Sequence, residues 1–418
     1  MTEPARNDLI HDWNRTGDEL PESARRLTFD DESLRDGLQS PSVRDPEIGE
    51  KIRILHLMER LGIHSADVVL PAAVPRAFAD TLALVQESVT AGMKLRPNAA
   101  ARTLVKDIEP IVDISQRTGR PVEVAMFIGS SPIRFYTEGW ELSKLLGLVE
   151  EAVSYSVKNG IPVMFVTEDT TRATPENIRA LYTAAIQAGA QRVTIADTVG
   201  HSTPAGVRAV VRFVREVADQ AGDGVLLDWH GHNDRGLGVI NTITAGLCGA
   251  DQLHGTALGI GERCGNAAMD QLLVNLKLMG LIQNDLTALG EYCEAVSRAV
   301  GIEIPVNYPV TGRDAFRTAT GVHAAAVIKA AERGDAWLED LVYSAVPASM
   351  VGREQTIEIG PMSGMANVSY WLTRHGYDPA PEVVQAVFSA AKQAKEVLTN
   401  DEVHRAARDA GAQVSPGT

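Results

Sequence analysis

The sequence predicts an α/β chain, a TIM (β/α)8 barrel followed by a C-terminal, mainly helical appendage. Two observations predict it: short β-branched or apolar runs alternate with longer helical patterns across residues 23–290, and polar residues cluster where those runs end. Eight β/α units in such a length fit a barrel, which usually takes about 250 residues. The candidate strands, in order, are RLTFD (26–30), ADVVL (66–70), a weaker one near KLRPNA (94–99), VEVAMF (122–127), PVMFVT (162–167), RVTIAD (192–197), GVLLDWH (224–230) and DQLHGTA (251–257). Between them lie helical patterns such as EIGEKIRILHLMERLG, WELSKLLGLVEEAVSYSVKNG and TPENIRALYTAAIQAG, each closed by a glycine, a common stop signal. Alternation alone also suits a doubly wound sheet. Asp36, Asp67, Glu168, Asp197 and His230 favour the barrel, because they fall at or just beyond strand C-termini, the face on which barrels carry chemistry.

After about residue 290 the rhythm changes. EYCEAVSRAVG leads through PVNYPVTGRDAF to GVHAAAVIKAAERG and a last helical stretch from PEVVQAVF to HRAARDA, before a closing SPGT that reads as a frayed tail. The expected division is a polar extension (1–22), a catalytic barrel (23–290) and C-terminal subdomains (291–418). Composition is that of an ordinary globular protein, 44% hydrophobic and 22% charged, with a formal net charge of -15. No Lys/Arg-rich run offsets that charge, which argues against nucleic acid or an anionic membrane as partner. Cys248, Cys264 and Cys293 form neither a disulfide framework nor a zinc spacing. Without a signal-like start or an apolar run long enough for a bilayer, the expectation is a cytoplasmic protein.

Three stretches carry candidate chemistry. In SLRDGLQ, Arg35 directly precedes Asp36. Neighbours on a regular strand face opposite ways, so the pair can serve one pocket only if the strand has ended; otherwise it is an exposed ion pair. In LLDWHGHNDRGLG, His230 and His232 are two apart and share a strand face. Two imidazoles with a carboxylate can bind a divalent cation. In GTALGIGERCGNAAMDQLL, Gly255, Gly259, Gly261 and Gly265 permit close backbone approach, with a spacing that is neither a Rossmann nor a P-loop fingerprint. Asn266 there is read as opening a helix, either as its N-cap or as an oxygen ligand.

SLRDGLQ, HGHND and GIGERCGN, in this order, resemble the acyl-CoA Claisen-condensing branch of the DRE-TIM metallolyases, which includes 2-isopropylmalate, homocitrate and citramalate synthases. TEDTTRATPE and ADTVGHSTP resemble the family's fifth- and sixth-strand motifs, and the likeness spans roughly residues 26–365. The resemblance implies a divalent-metal-dependent acyltransferase that condenses acetyl-CoA with a 2-oxo acid and hydrolyses the thioester. Asp36, His230, His232 and Asn266 would be metal ligands, with Mg²⁺, Mn²⁺ and Zn²⁺ all open. Arg35 would face the oxygen on which charge develops, Gln39 and Thr198 would line the 2-oxo acid site, and Gly259, Gly261 and Glu262 would lie near CoA. GVHAAAVIK resembles the family's C-terminal segment that supplies a histidine, often to the partner subunit's barrel. That makes His323 the candidate acid/base of a homodimer, with Tyr343 orienting it; the plainer reading of His323 is a subunit contact.

The sequence also departs from the family. Asp67 stands where a second-strand Glu is usual, one methylene shorter against Arg35. Met164 and Val166 occupy positions where homocitrate synthases carry Arg and Ser, which argues against gripping a distal carboxylate there. Ala125 and Arg134 replace frequent histidines; Arg134 either holds a second acidic group or pairs with a surface Glu, and Glu168 either orients substrate or supports its neighbours. Because the chain ends soon after IEIGPMSGMANVSYWL, leucine-type feedback is not expected. The alternatives are a hydroxymethylglutaryl-CoA lyase-like enzyme, an aldolase, or an inactive metal-binding regulatory homologue.

Overall fold

In the computed structural model, residues 9–12, 14 and 27–413 are described. The expected polar extension falls largely outside them, as does the SPGT tail. The eight candidate strands all form: β1 (Thr28–Asp31), β2 (Ser65–Asp67), β3 (Arg96–Arg102), β4 (Glu123–Gly129), β5 (Val163–Glu168), β6 (Arg192–Asp197), β7 (Leu226–Gly231) and β8 (Gln252–Gly255). Each pairs in parallel with the next, and β8 closes on β1 through Phe29 opposite Leu253, giving a closed TIM barrel. The weak KLRPNA signal proves to be one of the longest strands, while ADVVL contributes only Ala66 and Asp67 to the three-residue β2.

The helices follow from their apolar spacing. Pro204–Ala221 buries Val207, Val211, Val214, Val217 and Ala218, one stripe of an amphipathic helix. Pro204 stands at its first turn and the Thr203 hydroxyl accepts from the Gly206 N–H, so the start is capped. Val105–Thr118 stops at Gly119, whose φ of 70° is the left-handed geometry glycine adopts freely.

Period-2 alternation sorts each strand into interior and exterior residues. Along β7 the interior set is Asp228, His230 and then His232, just past the strand. The lower barrel interior is polar rather than the usual branched aliphatic filling. Arg192 Nη1 donates to Asp228 (2.7 Å) and Gln252 (2.9 Å), and Asn98 donates to Asp30 (2.7 Å), all buried. This polar floor sets the charge environment of the residues above it.

The chain divides into units meeting between Gln283 and Asn284. The second unit contains Leu289–Val300, then helices Gly321–Glu332, Ala336–Leu341, Met365–Arg374, Pro381–Gln393 and Asn400–Asp409, with a two-stranded parallel sheet of Arg317–Thr318 and Thr356–Ile357. Val368, Trp371, Leu372, Val387 and Val403 build its core. The expected helical C-terminal region is therefore present. Among the described residues no helix is long and apolar enough to cross a membrane.

Candidate active site and metal centre

β1 ends at Asp31, and the chain turns through Gly37–Gln39 as a short 3-10 helix. Arg35 and Asp36 thus sit beyond the strand, free of its strict alternation, and both line one cavity of about 250 Å³. Arg35 is held by three carboxylates: its Nε donates to Asp67 Oδ2 (2.7 Å), its Nη2 to Glu32 Oε1 (3.1 Å), and its Nη1 lies 3.7 Å from Asp36 Oδ2. The shorter Asp67 side chain therefore still reaches the guanidinium. Burial opposes the Arg35 charge, but Asp67, Glu32 and Asp36 overcome it and raise its pKa. Burial pushes Asp67 up to about 7 against the pull of Arg35.

His230 Nε2 and His232 Nε2 each lie 3.5 Å from Asp36 Oδ2. Ligands bound to one ion at about 2.1 Å are about 3.0–3.5 Å apart, so this trio has cation spacing. Burial, then its neighbour His230, pushes His232 down to about 4, which leaves a neutral imidazole fit to ligate. Asn266 is bridged to His232 by an isolated antiparallel pairing, and its buried Oδ1 has no hydrogen-bond partner. An orphaned buried oxygen beside two imidazoles and a carboxylate fits a divalent cation.

Asn266 does not open a helix: the helix begins at Met269 with Ala268 at its N-cap, so the capping alternative is withdrawn. The loop before it is tightly self-bonded. Gly259 and Gly265 donate their N–H groups to Thr256 and Glu262 carbonyls, so neither is free to cradle a phosphate. Gly265, at φ +80°, passes so close to the Gly259 carbonyl that a Cβ would collide with it. That close approach lets the Asn266 N–H donate to Gly259 O (3.0 Å) and seats Asn266 in the interior.

Gln39, Thr198, Glu168 and Glu262 also line the cavity. Thr198 Oγ1 accepts from the Asp169 N–H (2.9 Å). Burial raises Glu168 against the opposing charge of Arg134. Arg134 itself is not a lining residue; its Nη2 lies 3.5 Å from Glu138 and 3.8 Å from Glu168. Its partners are thus the protein's own carboxylates, Glu138 on the surface among them. The other wall is apolar, built from Leu70, Ala100, Ala125, Phe127, Met164 and Val166. In the second unit, the rings of His323 and Tyr343 stack with centroids 4.3 Å apart.

Sequence reasoning missed Glu32 and His254, which also line the cavity. His230 Nδ1 donates to Glu32 Oε2 (2.7 Å), and His254 bonds Glu32 Oε1 through Nδ1 (3.0 Å) and Asp228 Oδ2 through Nε2 (3.1 Å). Burial works against the Glu32 carboxylate, yet His230, Arg35 and His254 hold its pKa well down. Burial likewise opposes a charged His254, but its two carboxylates raise its pKa. Glu32, His230 and His254 form a second cluster of metal-ligating types. Its His230–Glu32 separation of 2.7 Å is that of a hydrogen bond, shorter than the spacing of the Asp36 trio.

A family profile described as HMGL-like matches residues 26–296. A probable 2-isopropylmalate synthase of Ignicoccus hospitalis is 31% identical over 388 residues, covering 92% of either chain. Homocitrate synthase AksA of Methanocaldococcus jannaschii is 31% identical over 373 residues, 88% of this chain and 86% of that one. The crystal structure of the Bacillus subtilis HMG-CoA lyase superposes with a TM-score of 0.57 at 19% identity, over 69% of this chain and 97% of the lyase, a likeness of fold. The barrel, the ordered motifs and these similarities together place the chain in the HMGL-like family, within its acyl-CoA-condensing branch.

Proposed function

We propose that the chain is a divalent-cation-dependent acyltransferase that condenses acetyl-CoA with a 2-oxo acid, then hydrolyses the thioester to release CoA. The observation that carries this reading is the convergence of Asp36, His230 Nε2 and His232 Nε2 beside a buried guanidinium at one cavity. The relatives named 2-isopropylmalate synthase and homocitrate synthase, over most of the chain, support it.

Asp36, His230, His232 and Asn266 would hold the ion. When bound, a divalent ion supplies Lewis-acid polarisation of the ketone of the 2-oxo acid. Arg35, fixed by Asp67 and Glu32, presents a preorganised cation where negative charge develops on the ketone oxygen. Gln39 and Thr198 position the acid, Glu168 supports that wall, and the Gly259–Gly261–Glu262 loop borders the CoA. His323, stacked on Tyr343, takes the proton from the thioester methyl group, and the enolate attacks the ketone carbon. In this reading the histidine is supplied to the partner barrel of a homodimer. The apolar wall of Ala125, Phe127, Met164 and Val166 favours an acid whose distal group is uncharged; Arg134, paired with Glu138 and Glu168, is not among the lining residues.

The test is thiol release from acetyl-CoA with Mg²⁺, Mn²⁺ or Zn²⁺ across pyruvate, 2-oxoisovalerate, oxaloacetate and 2-oxoglutarate. Release dependent on one acid, and lost with chelator or Asp36→Ala, is expected. No release with any acid while the cation is demonstrably bound overturns the proposal.

A further inference from the structure

Glu32 is almost fully buried just past the end of β1, and it makes contacts that the reaction outlined above leaves unexplained. Its Oε2 takes the Nδ1 proton of His230 at 2.7 Å, while its Oε1 is shared between His254 Nδ1 (3.0 Å) and Arg35 Nη2 (3.1 Å). One carboxylate therefore ties the candidate ligand His230 to the candidate electrophile Arg35. Glu32 is itself anchored from below: His254 Nε2 reaches Asp228, and Asp228 Oδ1 accepts from Arg192 Nη1 at 2.7 Å. The anchors stand on β8, β7 and β6, whose parallel pairing fixes them in the barrel wall.

A carboxylate has only acceptor sites, so the proton between it and His230 lies on Nδ1. That leaves the Nε2 lone pair, on the side facing Asp36, for a cation. His232 has no such tether, because its Nδ1 is buried without a hydrogen-bond partner. The two imidazoles are thus unequal: one is fixed in tautomer and orientation, the other only by packing.

Resting on the cation-site reading, we infer that Glu32, braced by His254, is a positioning residue that fixes the tautomer of His230 and thereby sets the affinity of the site for its cation. Hydrogen-bonded carboxylates behind ligating histidines typically contribute about 10–100-fold in metal affinity. His254, one step further back, acts through Glu32 and contributes less.

The experiment titrates chelator-stripped protein with Co²⁺, following the visible d–d absorption and the heat of binding, in the absence of acetyl-CoA or any 2-oxo acid. Glu32→Ala should weaken binding about 10–100-fold and alter the Co²⁺ spectrum. Glu32→Gln, which keeps an oxygen acceptor of the same reach, should recover part of the loss, and it stands in should the alanine variant not fold. His254→Gln should fall between Glu32→Gln and wild type. A folded Glu32 variant with wild-type affinity and spectrum overturns the inference, while Asp36→Ala losing Co²⁺ in parallel leaves the cation site intact. Wild-type protein that binds no Co²⁺ overturns both the inference and the cation-site reading.

Discussion

Replacing Arg35 with Met tests the division of labour in the site, because it separates charge stabilisation from cation binding. The guanidinium is within 4 Å of three carboxylates, at 2.7, 3.1 and 3.7 Å. Each such pair has a gross attraction of about 4–6 kcal/mol at an effective dielectric near 20, much of it offset by desolvation. Removing the cation leaves the buried carboxyl groups of Glu32, Asp36 and Asp67 without their guanidinium, and breaking a buried pair in this way costs about 3–5 kcal/mol. The cation-free Arg35→Met protein should therefore be less stable by about that amount in urea unfolding. Loss of one preorganised donor to a developing oxyanion lowers kcat about 10²–10³-fold, read by thiol release at saturating cation. Cation affinity should move the other way or stay level, since Asp36 no longer shares its Oδ2 with a guanidinium. Arg35→Lys should restore part of the stability and little of kcat, because one ammonium cannot span three acceptors. Weaker cation binding with kcat unchanged would refute the assignment of Arg35 to charge stabilisation.

Asp36→Ala should abolish the stabilisation that cation gives the wild type, about 2.7 kcal/mol at 100 times Kd; a variant melting curve that still rises with cation contradicts the ligand role. The cation-free protein should lose stability as pH rises above about 6.5, the unfolded histidine value. The reason is that the folded-state pKa of His254 is raised by Glu32 and Asp228: its contribution is complete below the unfolded value and disappears as pH climbs through the folded one. Urea unfolding between pH 6 and 9 should show this slope, and His254→Gln should flatten it; an unchanged slope in the variant assigns it elsewhere. Met164→Arg, which places a guanidinium of similar length in the cavity wall, should shift the kcat/KM ratio toward dicarboxylic 2-oxo acids by about 10–100-fold, the worth of a charge-assisted pair. An unmoved ratio means Met164 does not face the distal end of the acid.

The barrel was legible because its signals are periodic and local. β-branched runs, glycine stops and polar strand ends each point to the same architecture, and all eight strands form. Arg35, Asp36, His230 and His232 were legible because adjacency after a strand and a spacing of two predict shared faces, and the cavity brings all four together. Asn266 was misread as a helix start because the helix begins three residues later, after a loop whose shape depends on the approach of Gly265 to Gly259. Glu32 and His254 escaped because one follows β1 and the other lies on β8, and only barrel closure of β8 on β1 makes them neighbours. A signal did exist: Asp30 and Glu32, and Gln252 and His254, are polar pairs at the alternate positions that a barrel turns inward. Read together they announce a polar interior, where an aliphatic one is the usual expectation.

Charge balance around the cavity implies an order of binding. Glu32, Asp36, Glu168 and Glu262 line the cavity as carboxyl groups, with Asp67 behind Arg35, against the cations Arg35 and a His254 whose pKa Glu32 and Asp228 raise. Carboxyl groups thus outnumber cations in the cation-free cavity, which disfavours the carboxylate of a 2-oxo acid. A divalent ion beside Asp36 offsets two of those negative charges and gives a monoanionic acid a local positive partner. Like charges this close and this buried interact strongly, so the acid should bind after the cation and hardly at all without it. Calorimetry with chelated protein and 2-oxoisovalerate should give no measurable heat, and addition of Mn²⁺ should restore binding. If the acid bound equally well to the stripped protein, the cation would not be its anchor, and the charge argument for ordered binding would fail.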